Sequence, residues 1–318
     1  MEQEIQIINN VLPILFLIAL GYWIRRNRFL TASTIDELRK ITVNIAMPSV
    51  LFISFLNIEF KSSYFILFGF IFSFCIGMIF LGKLIKQKLN IKYVYFPYLT
   101  TGFEYGMLGI SLFGGAYGLE KIGYIAVTDL GHEIFIWFVF LPLLLMKRDG
   151  TKNIKEVAKS FFAAPVVIAI LTSILCNLTG GRTWLYQLPV TGGLITTLKF
   201  LSYLTVPLIL IIVGYGIKID RVGIRESLLV VIIRLAILLP SAVILNRFLI
   251  RNFLGLDKYF ETALFTLFIL PPPFIVPLYA RPDIKSEERL YINNVLALHT
   301  IISVSIFILY YMITHLGY

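Results

Sequence analysis

The chain has 318 residues, of which 58% are hydrophobic and only 14% charged, and its mean hydropathy is +0.86. A soluble domain carries about 25% charged residues, so a water-soluble globular fold is excluded. The net charge of +10 would suit a nucleic-acid binder, but the basic residues lie in short loops between apolar runs, which excludes that partner too.

A membrane-crossing helix needs about 20 mostly apolar residues, and ten stretches qualify. The first, Ile7–Ile24, follows Glu2 and Glu4 and precedes Arg25, Arg26 and Arg28. That order is the reverse of a cleavable signal peptide. Ile35–Leu56, Tyr64–Ile85, Tyr93–Gly118 and Ile122–Met146 complete a first group of five. Phe161–Leu178, Gly192–Ile217, Ser227–Phe248, Thr262–Ala280 and Leu290–Ile313 form a second. Cys75 and Cys176 each lie inside an apolar run and read as small buried hydrophobes, not a disulfide.

Odd-numbered loops hold 18 lysines and arginines against 6 in even-numbered loops. The positive-inside rule then places odd loops in the cytoplasm and both termini outside, in a plasma or inner membrane. The basic excess serves orientation and contact with anionic membrane lipid.

Five is odd, so the second group enters the membrane the opposite way up, and two similar halves make an inverted repeat. Residues 1–146 form the first five-helix repeat, 147–160 a cytoplasmic linker and 161–318 the second repeat. Lys40 precedes Pro48 by the same spacing with which Lys199 precedes Pro207, and Pro13 and Pro165 open the first span of each half. The fourth span of each half is interrupted. Tyr93–Gly118 contains Gly102, Gly106 and Gly109, and Thr262–Ala280 contains Pro271, Pro272, Pro273 and Pro277. Paired broken segments at matching places point to a transporter binding site.

Glu104 lies among those glycines. A charge at mid-bilayer costs about 2.5–3.5 kcal/mol on insertion scales, so it is expected to bind a proton or a cation. The plainer reading pairs it with a structural partner such as His132. Asp129, His132 and Glu133 share one helix face and fall about 10–17 Å below Ile122, at about 1.5 Å per residue. They read as a proton relay or cation site beside Glu104, or as a polar group wetted from outside. His132-Glu133 does not start a zinc-protease motif, because Ile136 stands where a second histidine is required. No catalytic constellation, resident metal or cofactor is expected, and the chain does not read as an enzyme. The proline triplet, with Asn293 and Asn294, supplies the second half's polar set. His299 reads as hydrogen-bonded helix glue, and Arg234 as an arginine that snorkels to the cytoplasmic surface.

These motifs resemble the auxin efflux carrier family, in order and over essentially the whole chain. LPILFLIALGYWIRRNRFL resembles its opening helix and basic loop, and IAMPSVLF its A-x-P element. GFEYGMLGISLFG resembles its asparagine–glycine–glycine–proline crossover pattern, and TDLGHEIFIW its aspartate-centred helix. LTVPLILIIVGYGI and LPPPFIVPLYA complete the set. The resemblance implies an all-α polytopic membrane protein of ten transmembrane helices in a 5+5 inverted repeat, like bile-acid symporters and sodium–proton antiporters. Two broken helices cross in a core of spans 3–5 and 8–10. Spans 1, 2, 6 and 7 form a panel hinged near Pro48 and Pro207.

It further implies a secondary transporter of a small organic solute, typically an organic anion, coupled to a proton or sodium gradient. A homodimer is compatible with this. The implied substrate and ion site comprises Glu104, Gly106, Gly109, Ser111, Asp129, His132, Glu133, Pro272, Pro273, Ile275 and Asn294. The chain departs from the pattern there. Glu104 and Ser111 replace the asparagine and proline of span 4, and Ile275 replaces a second asparagine in span 9. The alternative is a non-transporting membrane sensor or scaffold that keeps the transporter fold.

Overall fold

The computed structural model describes residues 2–59, 61–149, 159, 161–220, 223–277, 279–280 and 284–316, with backbone alone for 2–11. Among them every regular element is helical. Most of the expected linker lies outside the described residues, as do Met1, Tyr318 and the ends of several loops.

Six helical runs are long and apolar enough to cross a membrane: Ala32–Asn57, Ser63–Lys88, Leu119–Arg148, Pro189–Gly216, Ile224–Phe253 and Ser286–His315. Ser63–Lys88 carries no charge before Lys83, so nothing opposes burial of its length in lipid. The side-chain distribution is inverted relative to a soluble protein. Phe65 is 81% exposed and Ile313 70%, while Asp129 is 1% exposed and Arg234 and His299 are fully buried. Apolar groups face outward and the polar groups satisfy one another inside, as a lipid solvent demands.

The remaining expected spans look different. The first lies within the continuous Glu2–Arg26 helix. The sixth yields only the 14-residue Pro165–Leu178 helix, about 21 Å long, which turns by 100° into Gly181–Gln187. Gly180 makes that corner at φ +72°, a left-handed conformation that glycine adopts without a Cβ clash. The fourth and ninth are broken, as the glycines and prolines predict. Phe96–Leu99 and Tyr105–Tyr117 flank a non-helical stretch at 100–104. Lys258–Ile269 ends at Leu270, and residues 270–280 are irregular where described.

Pro48 and Pro207 disturb their helices upstream. A proline withholds the amide that the carbonyl four residues earlier requires. Ahead of Pro48 the helix widens to π geometry over Thr42–Ala46. Ahead of Pro207 the helix pauses at Leu204, between Pro189–Tyr203 and Thr205–Gly216.

Packing divides the helices into two sets. Glu2–Arg26 lies along Thr205–Gly216, and Met47–Asn57 packs against Pro165–Leu178 and Pro189–Tyr203. Ser63–Lys88 packs on Ile122–Phe135, which also meets Lys258–Ile269, and Ile224–Leu245 packs on Ser286–Leu316. Paired glycines let the first contact close. A Cβ on Gly21 would sit 2.0 Å from the Ile211 carbonyl oxygen, and one on Gly214 would sit 2.0 Å from that of Ile18.

Candidate functional site

The two breaks meet. The Glu104 backbone N–H donates to the Pro271 carbonyl at 2.8 Å. Gly102 turns the first break at φ +72°, and a Cβ there would approach Pro273 Cγ to 2.8 Å. Glycine is therefore required both by conformation and by the proximity of the second break. Gly109 is similarly close-packed, since its Cβ would approach Leu270 Cδ1 to 2.9 Å.

Each break exposes helix ends, and the chain supplies a charge to each kind. Glu104 caps the stretch that begins at Tyr105. One carboxylate oxygen accepts from the Met107 N–H at 3.1 Å and the other from the Phe274 N–H at 2.5 Å. The Met107 amide is at a helix start, where the dipole favours an anion, whereas the Phe274 amide belongs to a turn in the second break. Arg234 serves the opposite ends. Its Nη2 donates to the Gly102 carbonyl and to the Leu270 carbonyl at 3.1 Å. Leu270 closes the Lys258–Ile269 helix, so the cation sits at a helix C-terminus. The Phe103 ring lies 5.4 Å from the guanidinium. Arg234 thus does not snorkel: it is fully buried, and joins the two breaks.

His132 packs behind the first break. The Phe103 N–H can only donate, so the Nε2 that it meets at 2.9 Å is an unprotonated acceptor. The proton is on Nδ1, which donates to Asp129 at 2.8 Å. Asp129 therefore meets His132 as the helical spacing predicts. Glu133 instead accepts from Trp137 Nε1 at 2.9 Å, and Glu104 meets backbone amides rather than His132. Ligand atoms of Asp129, His132 and Glu133 lie within 4.8 Å of one another. Both ring nitrogens are already engaged, so His132 offers no lone pair to an ion. It is a positioning residue that fixes residue 103 and thereby the break.

A cavity of about 870 Å³ opens beside the breaks. It brings together Glu104, Gly106, Asp129, His132 and Glu133 from the first half with Pro273, Ile275 and Asn294 from the second. Three expected site residues do not line it. Gly109 packs on Leu270; the Ser111 hydroxyl is spent on the Met107 and Leu108 carbonyls; and Pro272 lies in the second break away from the cavity wall. Asn294 holds chain rather than ligand: its amide accepts from the Asp220 N–H at 2.8 Å and donates to the Asp220 carbonyl at 3.0 Å. His299 Nδ1 bonds Ser303, whose hydroxyl donates to the Ile269 carbonyl at 2.5 Å, which ties Ser286–Leu316 to the end of the second half-helix.

The cavity wall draws on both packing sets. Met47, Pro165 and Val213 face Glu104, Asp129 and Pro273 across it. Arg25, Ala32, Lys218 and Leu290, which flank odd-numbered loops, also line it, so it reaches that end of the molecule. No family model matches the chain, and no curated protein matches it.

Proposed function

We propose that the chain is a secondary active transporter that moves a small organic solute across the cell membrane. In this reading it has ten membrane-crossing segments in two inverted halves, of the auxin efflux carrier type, with both termini outside. The observation that carries it is the contact of two interrupted segments beside a cavity of about 870 Å³. A packing scaffold has no use for such an arrangement, because each break forfeits helix hydrogen bonds that lipid cannot replace.

The two packing sets supply a mechanism. Ser63–Lys88, the broken segments, Leu119–Arg148, Ile224–Phe253 and Ser286–His315 form the core that carries the site. The helices around Met47–Asn57, Pro165–Leu178 and Pro189–Gly216 form the panel. Solute bound between them is exposed to one side, here that of the odd-numbered, cytoplasmic loops. Movement of core against panel about the disturbed turns at Thr42–Ala46 and Leu204 would expose it to the other.

Glu104 is the coupling group. Its two oxygens accept from one amide in each break. Protonation turns one of these oxygens into a hydroxyl, a much weaker acceptor for an N–H. The carboxyl then holds one break more tightly than the other, so proton binding changes the junction that the solute faces.

The test uses proteoliposomes. A solute identified by thermal shift on the purified protein is loaded inside, and entry of labelled solute is followed. Trans-stimulated entry, sensitive to the pH gradient, is the expected result. Binding without exchange would instead favour a sensor.

A further inference from the structure

The cavity's charges indicate what it takes. We propose that it binds an organic cation, an ammonium-bearing solute with an apolar or aromatic body, and does not bind an organic anion. This rests on the transporter reading and names the solute class of that same site.

The place where an anion would bind is filled. Backbone amides at a broken helix are the natural seat of a substrate carboxylate. Here Glu104 occupies it, with both oxygens on amides, one in each break. A second carboxylate arriving there would meet Glu104 as a like charge.

Next to the breaks the wall adds Asp129 and Glu133, with the neutral His132 beside them. Asp129 is 1% exposed and accepts from His132; Glu133 accepts from Trp137; neither has a basic partner among the described residues. The basic groups lining the cavity are committed elsewhere or exposed. Arg25 donates to the Tyr215 and Ile217 carbonyls, Arg39 pairs with Asp36 at 2.8 Å, and Lys218 is exposed. Arg234 is not on the wall, and its charge is directed at the break carbonyls.

Independent of the acidic groups, the wall is aromatic. Phe103, Tyr105, Trp137 and Phe274 line it, and ring faces attract ammonium groups. The Tyr105 hydroxyl is buried on this wall with no hydrogen-bond partner. Carboxylates and aromatic faces around one apolar volume are the elements of organic-cation recognition, and the buried part of the wall around the breaks carries no lysine or arginine among the described residues.

The test uses the full-length protein in detergent with two probes of similar size and opposite charge, benzyltrimethylammonium and phenylpropanoate. Calorimetric titration and thermal melts should show saturable binding and stabilisation by the first and none by the second, with sodium chloride as the ionic control. Glu133→Gln keeps an oxygen for the Trp137 N–H and removes one charge, so it should melt as the wild type does. It should weaken benzyltrimethylammonium by about tenfold, and Asp129→Asn should act in the same direction. Binding of phenylpropanoate in preference, binding of neither probe, or unchanged benzyltrimethylammonium affinity in both variants would overturn the proposal. Binding that holds while proteoliposomes show no exchange of the probe would instead overturn transport and leave the solute class standing.

Discussion

Arg234→Met removes the one cation that bridges the two breaks while roughly keeping the side chain's length. Two backbone carbonyls, those of Gly102 and Leu270, then lose a charged donor in a fully buried site. A hydrogen bond to a charged group is worth about 1.5–3 kcal/mol, and a buried group left unpaired costs about 1–3 kcal/mol. Against this, the wild type bears the desolvation of a guanidinium whose Nε and Nη1 have no partner. That relief offsets the loss at the two carbonyls only in part, so a net loss of about 2–5 kcal/mol is expected. At about 2 °C per kcal/mol for a large domain, the melting temperature falls by about 4–10 °C. Size-exclusion chromatography of heated, detergent-solubilised protein reads this directly, and Trp137 fluorescence reports on the cavity wall. Arg234→Lys keeps the charge but not the planar fork that serves two carbonyls, and should fall between. A methionine variant as stable as the wild type, with intact binding, would show that Arg234 does not hold the breaks together.

Three further outcomes follow from the same geometry. Glu104→Gln offers one oxygen where the carboxylate places two, so it should cost about 1–3 kcal/mol and abolish the pH-gradient dependence of exchange; an unchanged pH profile in proteoliposomes would remove Glu104 from the coupling step. Gly214→Ala places a methyl 2.0 Å from the Ile18 carbonyl oxygen. Backbone cannot rotate away as a side chain can, so a loss of about 3 kcal/mol, the upper end for overpacking, should appear in the melt, and a melting point equal to wild type would refute the close crossing. Single cysteines at positions 1, 152 and 318, in a background lacking Cys75 and Cys176, should react with an impermeant thiol reagent in intact cells only at the two termini; labelling at 152 would invert the topology and with it the repeat.

The fold was legible wherever a residue type admits few conformations or environments. Three consecutive prolines cannot continue a helix, and Gly102 marks a left-handed turn, so both breaks could be placed before any coordinates. Glu104 stood out because a charge inside an apolar run needs a reason. The Asp129–His132 contact followed from helical spacing alone. Legibility stopped at interactions whose partners are far apart in the chain. His132 accepts from residue 103 and Arg234 donates to residues 102 and 270, and no local pattern specifies those pairings. The signal for Arg234 was present in the sequence as a lone charge between Ile233 and Leu235, deep in an apolar run. Snorkelling was the wrong explanation of it, because the arginine points to the interior of the bundle. The 100° corner at Gly180 was missed for a related reason: a Thr-Gly-Gly stretch after an apolar run reads equally well as an ordinary loop.

The departures from the resembled pattern become coherent once both breaks are seen together. An amide at position 104 could donate to a substrate, but it has one oxygen where Glu104 places two, one on each N–H group. The carboxylate thus closes the amide ends of both breaks from within the chain. That closure leaves the carbonyl ends, which require a cation, and Arg234 provides one from a neighbouring helix. A crossover whose amides and carbonyls are both satisfied internally needs neither an anionic solute nor a bound metal ion to exist. In that reading the solute meets the surrounding wall, with Asp129, Glu133 and aromatic rings that include Tyr105, Trp137 and Phe274. In the proposed reading, the Glu104 that stands where the resembled pattern has asparagine leaves recognition to the side chains of the wall, and those favour a cation.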